Sequence, residues 1–212
     1  MYKWLKRPLF HKYSGYVYEI IIIIFTKICQ YKLMNRMESY INLGDKSKFV
    51  SYGTNGVKNC LELCKMILKK YGLSNFGSST NIFRLMYEKN GKLDYYGNNP
   101  KENYKQAIDC IDRHLENDRP IIVGVNHTIG RGINEGTTDH FVVIYGREYI
   151  DEYHIAYFYY EVGKSNVMYG YNDEDNRFIY DISNPNKPQF YDDKSSRNDG
   201  VRFDVIQVRP ND

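Results

Sequence analysis

The stretch "RPIIVGVNH", residues 119–127, marks a change in the character of the chain. Before it, apolar side chains recur every three or four residues, the spacing of a helix with one buried face. From Ile121 onward they come in runs of β-branched and aromatic residues at 121–127, 140–146, 153–160, 177–182 and 201–208. Each run is bounded by Gly, Asn, Asp or Pro, the residues of turns. Helices followed by strands predict an α+β domain with an antiparallel sheet. No internal repeat, linker or low-complexity tract interrupts it.

Two helices are written clearly upstream. In "NCLELCKMILKKYG" (59–72), Cys60, Leu63, Cys64, Ile67 and Tyr71 share one face, and Gly72 supplies a C-terminal stop. In "NPKENYKQAIDCIDRHLEN" (99–117), Asn99 is an N-cap, Pro100 takes the first helical position and Glu102 the third. Tyr104, Ala107, Ile108, Ile111 and Leu115 form its buried stripe. A further helix is expected from Thr80 to Asn90, with Gly91 as its cap.

Composition excludes several functions. With 29 basic and 26 acidic residues scattered along 212, the chain has no basic stripe for nucleic acid. The 22 tyrosines suit half-buried strands, and secondarily a sugar- or peptide-binding surface. Four cysteines, Cys29, Cys60, Cys64 and Cys110, are too few and too irregular for a disulfide scaffold and read as free thiols. Residues 1–45 read as an N-terminal extension to a domain at 46–212. Its apolar run Ile20–Phe25 is too short to span a bilayer and a poor match to a signal peptide. A cytoplasmic location is therefore favoured over export, and Met34 and Met37 are alternative starts.

The chemistry-bearing residues are few. Cys60 falls in the first turn of a helix, where the dipole and unpaired N–H groups favour thiolate over thiol. His140 opens the strand "HFVVIYG" after a glycine-rich loop, a rigid mount for a general base. The next strand runs back to Glu161 and Gly163, so a hairpin carries Glu161 toward His140, where it can orient the imidazole. Asp181 in "YDISNP" is the competing acid, while Asp139 is too near in sequence to face the ring. His127 and His154 lack the spacing of metal ligands. The loop "TIGRGINEGTTD" has no following helix to cradle a phosphate, and "NDEDN" (172–176) lacks the glutamate that closes a calcium loop. No cofactor or metal is called for.

Together "CLELCKMILKKYG", "RPIIVGVNH", "TTDHFVVIYG" and "YFYYEVG" resemble the papain-like cysteine peptidases that process double-glycine leaders, in the same order of Cys, His and acid. The likeness covers about Asn55 to Gly163. It implies a papain-like fold, with a helical half carrying the catalytic Cys at a helix start packed on a C-terminal antiparallel sheet. It also implies Cys60 as nucleophile, His140 as general base and Glu161 in the place of the usual Asp. The family has Gly after the Cys, where this chain has Leu61, and an oxyanion Gln six residues before it, where this chain has Thr54. Asn55 and Asn59 are the amides available to replace that Gln. The implied activity is hydrolysis of an amide bond in a peptide or cell-wall peptide. A catalytically silent binding module and an acyltransferase with the same triad are the alternatives. Residues 164–212 have no counterpart in the family and are expected to add strands over the sheet or a substrate-side element.

Overall fold

Strand β1 (Tyr40–Asn42) leads through a 3-10 turn (Thr54–Gly56) to helix α1 (Cys60–Lys70). Three short strands follow, β2 (Phe83–Arg84), β3 (Met86–Lys89) and β4 (Lys92–Tyr95), and then helix α2 (Pro100–Leu115). The second half comprises β5 (Ile121–Asn126), β6 (His140–Tyr149), β7 (His154–Tyr160), the single turn α3 (Val167–Gly170), β8 (Arg177–Asp181), β9 (Gln189–Asp192) and β10 (Phe203–Arg209). The computed structural model describes residues 40–74, 81–130, 138–172, 174–192, 194 and 201–211.

The two capped helices form where their signals lie. Asn59 Oδ1 accepts from Glu62 N at 3.2 Å, and Asn99 Oδ1 from Glu102 N at 3.3 Å, each satisfying an otherwise unpaired N–H of the first turn. Lys69 and Lys70 end α1, and Arg113 and His114 end α2, where the dipole favours positive charge.

The expected helix between 80 and 90 does not form. From Asn81 onward the chain is extended, and β3 and β4 pair as a hairpin, Lys89 opposite Lys92. Asn90 and Gly91 both have positive φ, 54° and 74°, as a tight two-residue hairpin turn requires. Gly91 is thus a turn residue rather than a helix cap.

A larger correction concerns the sheet. Antiparallel pairing runs β6–β5–β10–β9–β8–β7 and returns from β7 to β6, so six strands close a barrel. β1 adds to the outside of β6 and β2 to β10. The papain-like α+β layout, a helical half packed on a C-terminal sheet, is therefore overturned. Sheet dominates, strands β2–β4 separate α1 from α2, and the described residues hold only three helices. Residues 164–212 do not simply cover a sheet, because β8, β9 and β10 supply half the barrel.

The physical reason lies in the aromatic residues of those strands. Tyr157, Tyr159, Phe178, Phe190 and Phe203 are fully or almost fully buried in one cluster with the apolar stripe of α2. The rings of Tyr159 and Phe178 stack at 4.2 Å, and Phe190 meets Tyr157 edge-on at 5.3 Å. Such rings gain most from closing the barrel around themselves. Alternate residues of β6 and β7 point the other way, so that Phe141, Val143, Tyr145, Phe158 and Tyr160 form a second cluster with Leu63, Cys64, Ile67 and Leu68 of α1. That cluster seats the start of α1 against the start of β6.

Candidate functional site

Cys60 is the first residue of α1, half-buried, and His140 is the first residue of β6. The imidazole of His140 is in hydrogen-bonding contact with the Cys60 sulfur. On its other side, Nε2 lies 2.8 Å from Glu161 Oε1. An ionised carboxylate only accepts, so Nε2 carries the proton and Nδ1 is left for the sulfur. Oε1 of Glu161 also accepts from Gly163 N at 2.7 Å, and Glu161 N donates to Gly170 O at 2.8 Å. Oε1 is thus shared by two donors, and the Glu161 backbone is tied to Gly170. Glu161 is fully buried and His140 only 3 % exposed, so the pair sits in low dielectric, where its mutual orientation is strongly enforced.

The β6–β7 pairing explains the meeting. Val143 lies opposite Tyr160, so the next residue of the return strand, Glu161, arrives beside the beginning of β6. Asp181 goes elsewhere. It pairs with His154 at the opposite end of β7, about 20 Å away at the rise of a strand, and its carboxylate is 3.6 Å from His154 Nε2. Burial pushes the Asp181 pKa up, but hydrogen bonds from Ser183 more than offset it and hold the group below the usual carboxylate range.

Two opposed effects act on Cys60. Burial alone would push its thiol pKa up. The hydrogen bond and positive charge of His140, with backbone N–H groups of Phe141 and Leu61, outweigh it, and the net shift is downward. Cys64, one turn further along α1, moves the other way. It is fully buried, and desolvation together with the nearby Cys60 and Glu161 pushes its thiol well up. Two cysteines on one helix face are thereby moved in opposite directions, Cys60 toward the thiolate and Cys64 toward the thiol.

The two amides proposed for the oxyanion lie differently. Asn59 has its side-chain oxygen engaged as the α1 cap. Asn55 adopts a left-handed conformation, φ 52°, and lines an open cavity of about 650 Å³ with Lys46, Phe49, Met66, Lys70 and Ser165. Neither Cys60 nor His140 lines that cavity. It flanks α1, between the turn preceding Cys60 and the segment following Glu161, and Tyr52 N ties these two by donating to Lys164 O at 3.2 Å.

The chain has no counterpart among the proteins compared: no family model matches it, and no curated protein and no solved structure is significantly similar. Among the described residues, no helix is long and apolar enough to cross a membrane.

Three neighbours of the site escaped sequence reasoning. The ring of Phe203 lies 6.1 Å from that of His140 and stacks on His127 at 5.2 Å, forming one wall. Its place on the buried face of "VRFDVIQV" was readable, but its partner was not. Asp139, set aside because it cannot face His140, instead accepts from Thr128 N at 2.8 Å and from His127 N, and so fixes the end of β5. The N–H of Gly163 leaves no trace in side-chain chemistry. Of the other histidines, His127 lies by Asp139 and His154 by Asp151. No cluster of three metal-ligating side chains occurs among the described residues.

Proposed function

We propose that the protein is a thiol hydrolase that cleaves an amide bond through Cys60, His140 and Glu161. The observation that carries this reading is the position of His140, which contacts the Cys60 sulfur on one side and Glu161 Oε1, at 2.8 Å, on the other. His140 Nδ1 takes the thiol proton, and the thiolate attacks the substrate carbonyl carbon to give a tetrahedral oxyanion. Collapse breaks the C–N bond, the imidazolium returns its proton to the leaving amine, and a thioester remains on Cys60. Water, deprotonated by the same imidazole, attacks the thioester and releases the acid and the free thiol. Glu161 holds the ring and stabilises its charged form throughout. Backbone N–H groups at the start of α1 are the donors for the oxyanion, since the first turn of a helix leaves them without intrahelical partners. An amine in place of water would make the same residues an acyltransferase.

A second reading, a silent binding module, draws on the engagement of Asn59 and the placement of Asn55 along the cavity. The two separate on one titration. Iodoacetamide labelling followed by peptide mass mapping should find Cys60 reacting well below about pH 8, the ordinary onset for a thiol. His140→Ala should return it to the ordinary range. Labelling of Cys60 only near the ordinary thiol pKa would sink the hydrolase and leave the binding module.

A further inference from the structure

The open cavity beside α1 differs in charge from the rest of the molecule. The chain as a whole is nearly balanced, 29 basic to 26 acidic residues, yet the cavity is lined by Lys46 and Lys70 and by no acidic side chain. Its floor is apolar, with Phe49, Val50, Met66 and Val167, and hydroxyl and amide groups of Ser51 and Asn55 complete the rim. Lys70 Nζ donates to Ser47 O at 3.0 Å and Phe49 O at 3.3 Å, which fixes its position and leaves the third of its three N–H donors over. Lys46 is exposed at the lip. The adjacent acid, Asp45, accepts from Ser47 N at 2.8 Å and does not line the cavity.

The walls of this cavity are the segments that carry the site. Thr54 and Asn55 precede Cys60 by six and five residues, Met66 and Lys70 belong to its helix, and Ser165 follows Glu161 by four residues. A substrate chain bound across Cys60 and running along α1 would reach this groove, whose α1 residues, Met66 and Lys70, follow Cys60 by six and ten positions. An apolar floor takes the stems of side chains, and two cations with neutral donors at the rim take carboxylates.

We propose that this cavity is the substrate-recognition site of the hydrolase, and that it selects a peptide segment bearing acidic side chains within a few residues of the scissile amide. This rests on the hydrolase reading, and the test keeps the two apart. The probes are peptides of three glutamates or three lysines, carrying either an iodoacetyl group at the amino end or a chloromethyl ketone at the carboxyl end. The two electrophiles present the peptide to either side of Cys60. Rates of Cys60 labelling at low salt are read by mass spectrometry, each divided by the same protein's rate with iodoacetamide.

In at least one orientation the glutamate probe should react about tenfold or more faster than its lysine counterpart, the lower end of what electrostatic focusing achieves in a lined cleft. That ratio should shrink toward unity as salt is raised to about 1 M. Lys46→Gln/Lys70→Gln should reduce it to within about twofold, and Lys46→Gln alone, at an exposed position where folding is not at stake, should reduce it part-way. Lys101→Gln/Lys187→Gln removes the same net charge elsewhere and should keep the preference. Equal rates for the two charges in both orientations, or a preference that survives in both Lys46 variants, would overturn the recognition site while selective iodoacetamide labelling of Cys60 leaves the hydrolase standing. Failure of iodoacetamide to select Cys60 would sink both.

Discussion

His140 Nε2 donates to Glu161 Oε1 across 2.8 Å, and the same oxygen accepts from Gly163 N at 2.7 Å. A glutamine at position 161 keeps a carbonyl oxygen for both donors, loses the charge and puts an NH2 group in the place of Oε2. Glu161→Gln should therefore leave the fold intact and weaken the thiolate–imidazolium pair. Each unit by which the Cys60 pKa climbs cuts the thiolate about tenfold below that pKa, so alkylation at about pH 6 should slow by roughly tenfold or more. Glu161→Ala should slow it further and also cost about 1–3 kcal/mol in urea unfolding, because a buried donor is left unmatched. An unchanged alkylation rate in the glutamine variant would reduce Glu161 to a structural partner.

The lowered Cys60 pKa also has a sign in stability. Because folding favours the thiolate, it stabilises the folded state above the ordinary thiol range, and this contribution fades as pH falls through the lowered value. Cys60→Ala removes it. The stability gap between wild type and variant, followed by urea unfolding, should widen in favour of wild type between about pH 6 and about pH 9. A gap that is flat with pH would show that Cys60 and His140 do not share charge.

Two of the three expected helices, and the approach of Glu161 to His140, could be read from the sequence, whereas the barrel could not. A cap such as Asn99-Pro100-Lys-Glu102 is local and acts within a single turn, so α2 could be read without any knowledge of its partners. The approach of Glu161 to His140 followed from strand lengths in one hairpin. Barrel closure depends instead on β10 pairing with β5, some eighty residues earlier, and no local pattern in "VRFDVIQV" names that partner. The misread at Thr80–Asn90 was avoidable. Asn90-Gly91 is a strong hairpin signal, which the expectation of a helix with Gly91 as its cap passed over. What the sequence did not show is that Asn59 caps α1 through its side-chain oxygen and that Asn55 lines the cavity beside that helix.

Gly170 closes α3 directly against the ring of Phe49, and a Cβ there would fall inside the van der Waals envelope of that ring. Phe49 is floor to the cavity beside α1, and the Gly170 carbonyl accepts from Glu161 N. Gly170→Ala should thus cost about 1–3 kcal/mol by overpacking and disturb both the cavity and the mount of Glu161. Phe49→Leu in the same chain should recover part of that loss, measured as a coupling in a double-mutant cycle of urea midpoints. Strict additivity of the two substitutions would show that the ring and the glycine do not meet.

Arg147 ties α2 to the strand that begins with His140. Its guanidinium lies 2.8 Å from Asp112 Oδ1 and 2.8 Å from Glu116 Oε1, and Tyr157 donates to Asp112 at 2.9 Å. The two acids are not equivalent. Glu116 is 55 % exposed and its contact is screened, whereas Asp112 is 15 % exposed and burial holds its carboxyl above the ordinary range against the pull of Arg147. Arg147→Met should therefore strand a buried carboxylate and cost about 3–5 kcal/mol in urea unfolding at neutral pH. The loss should shrink on acidification, since a protonated Asp112 no longer needs the cation. Asp112→Leu added to Arg147→Met should restore part of the stability, because the stranded carboxylate is gone while the buried Tyr157 hydroxyl loses its acceptor. If the single variant loses no more than a surface ion pair would, under about 1 kcal/mol, then Arg147 does not hold α2 against β6.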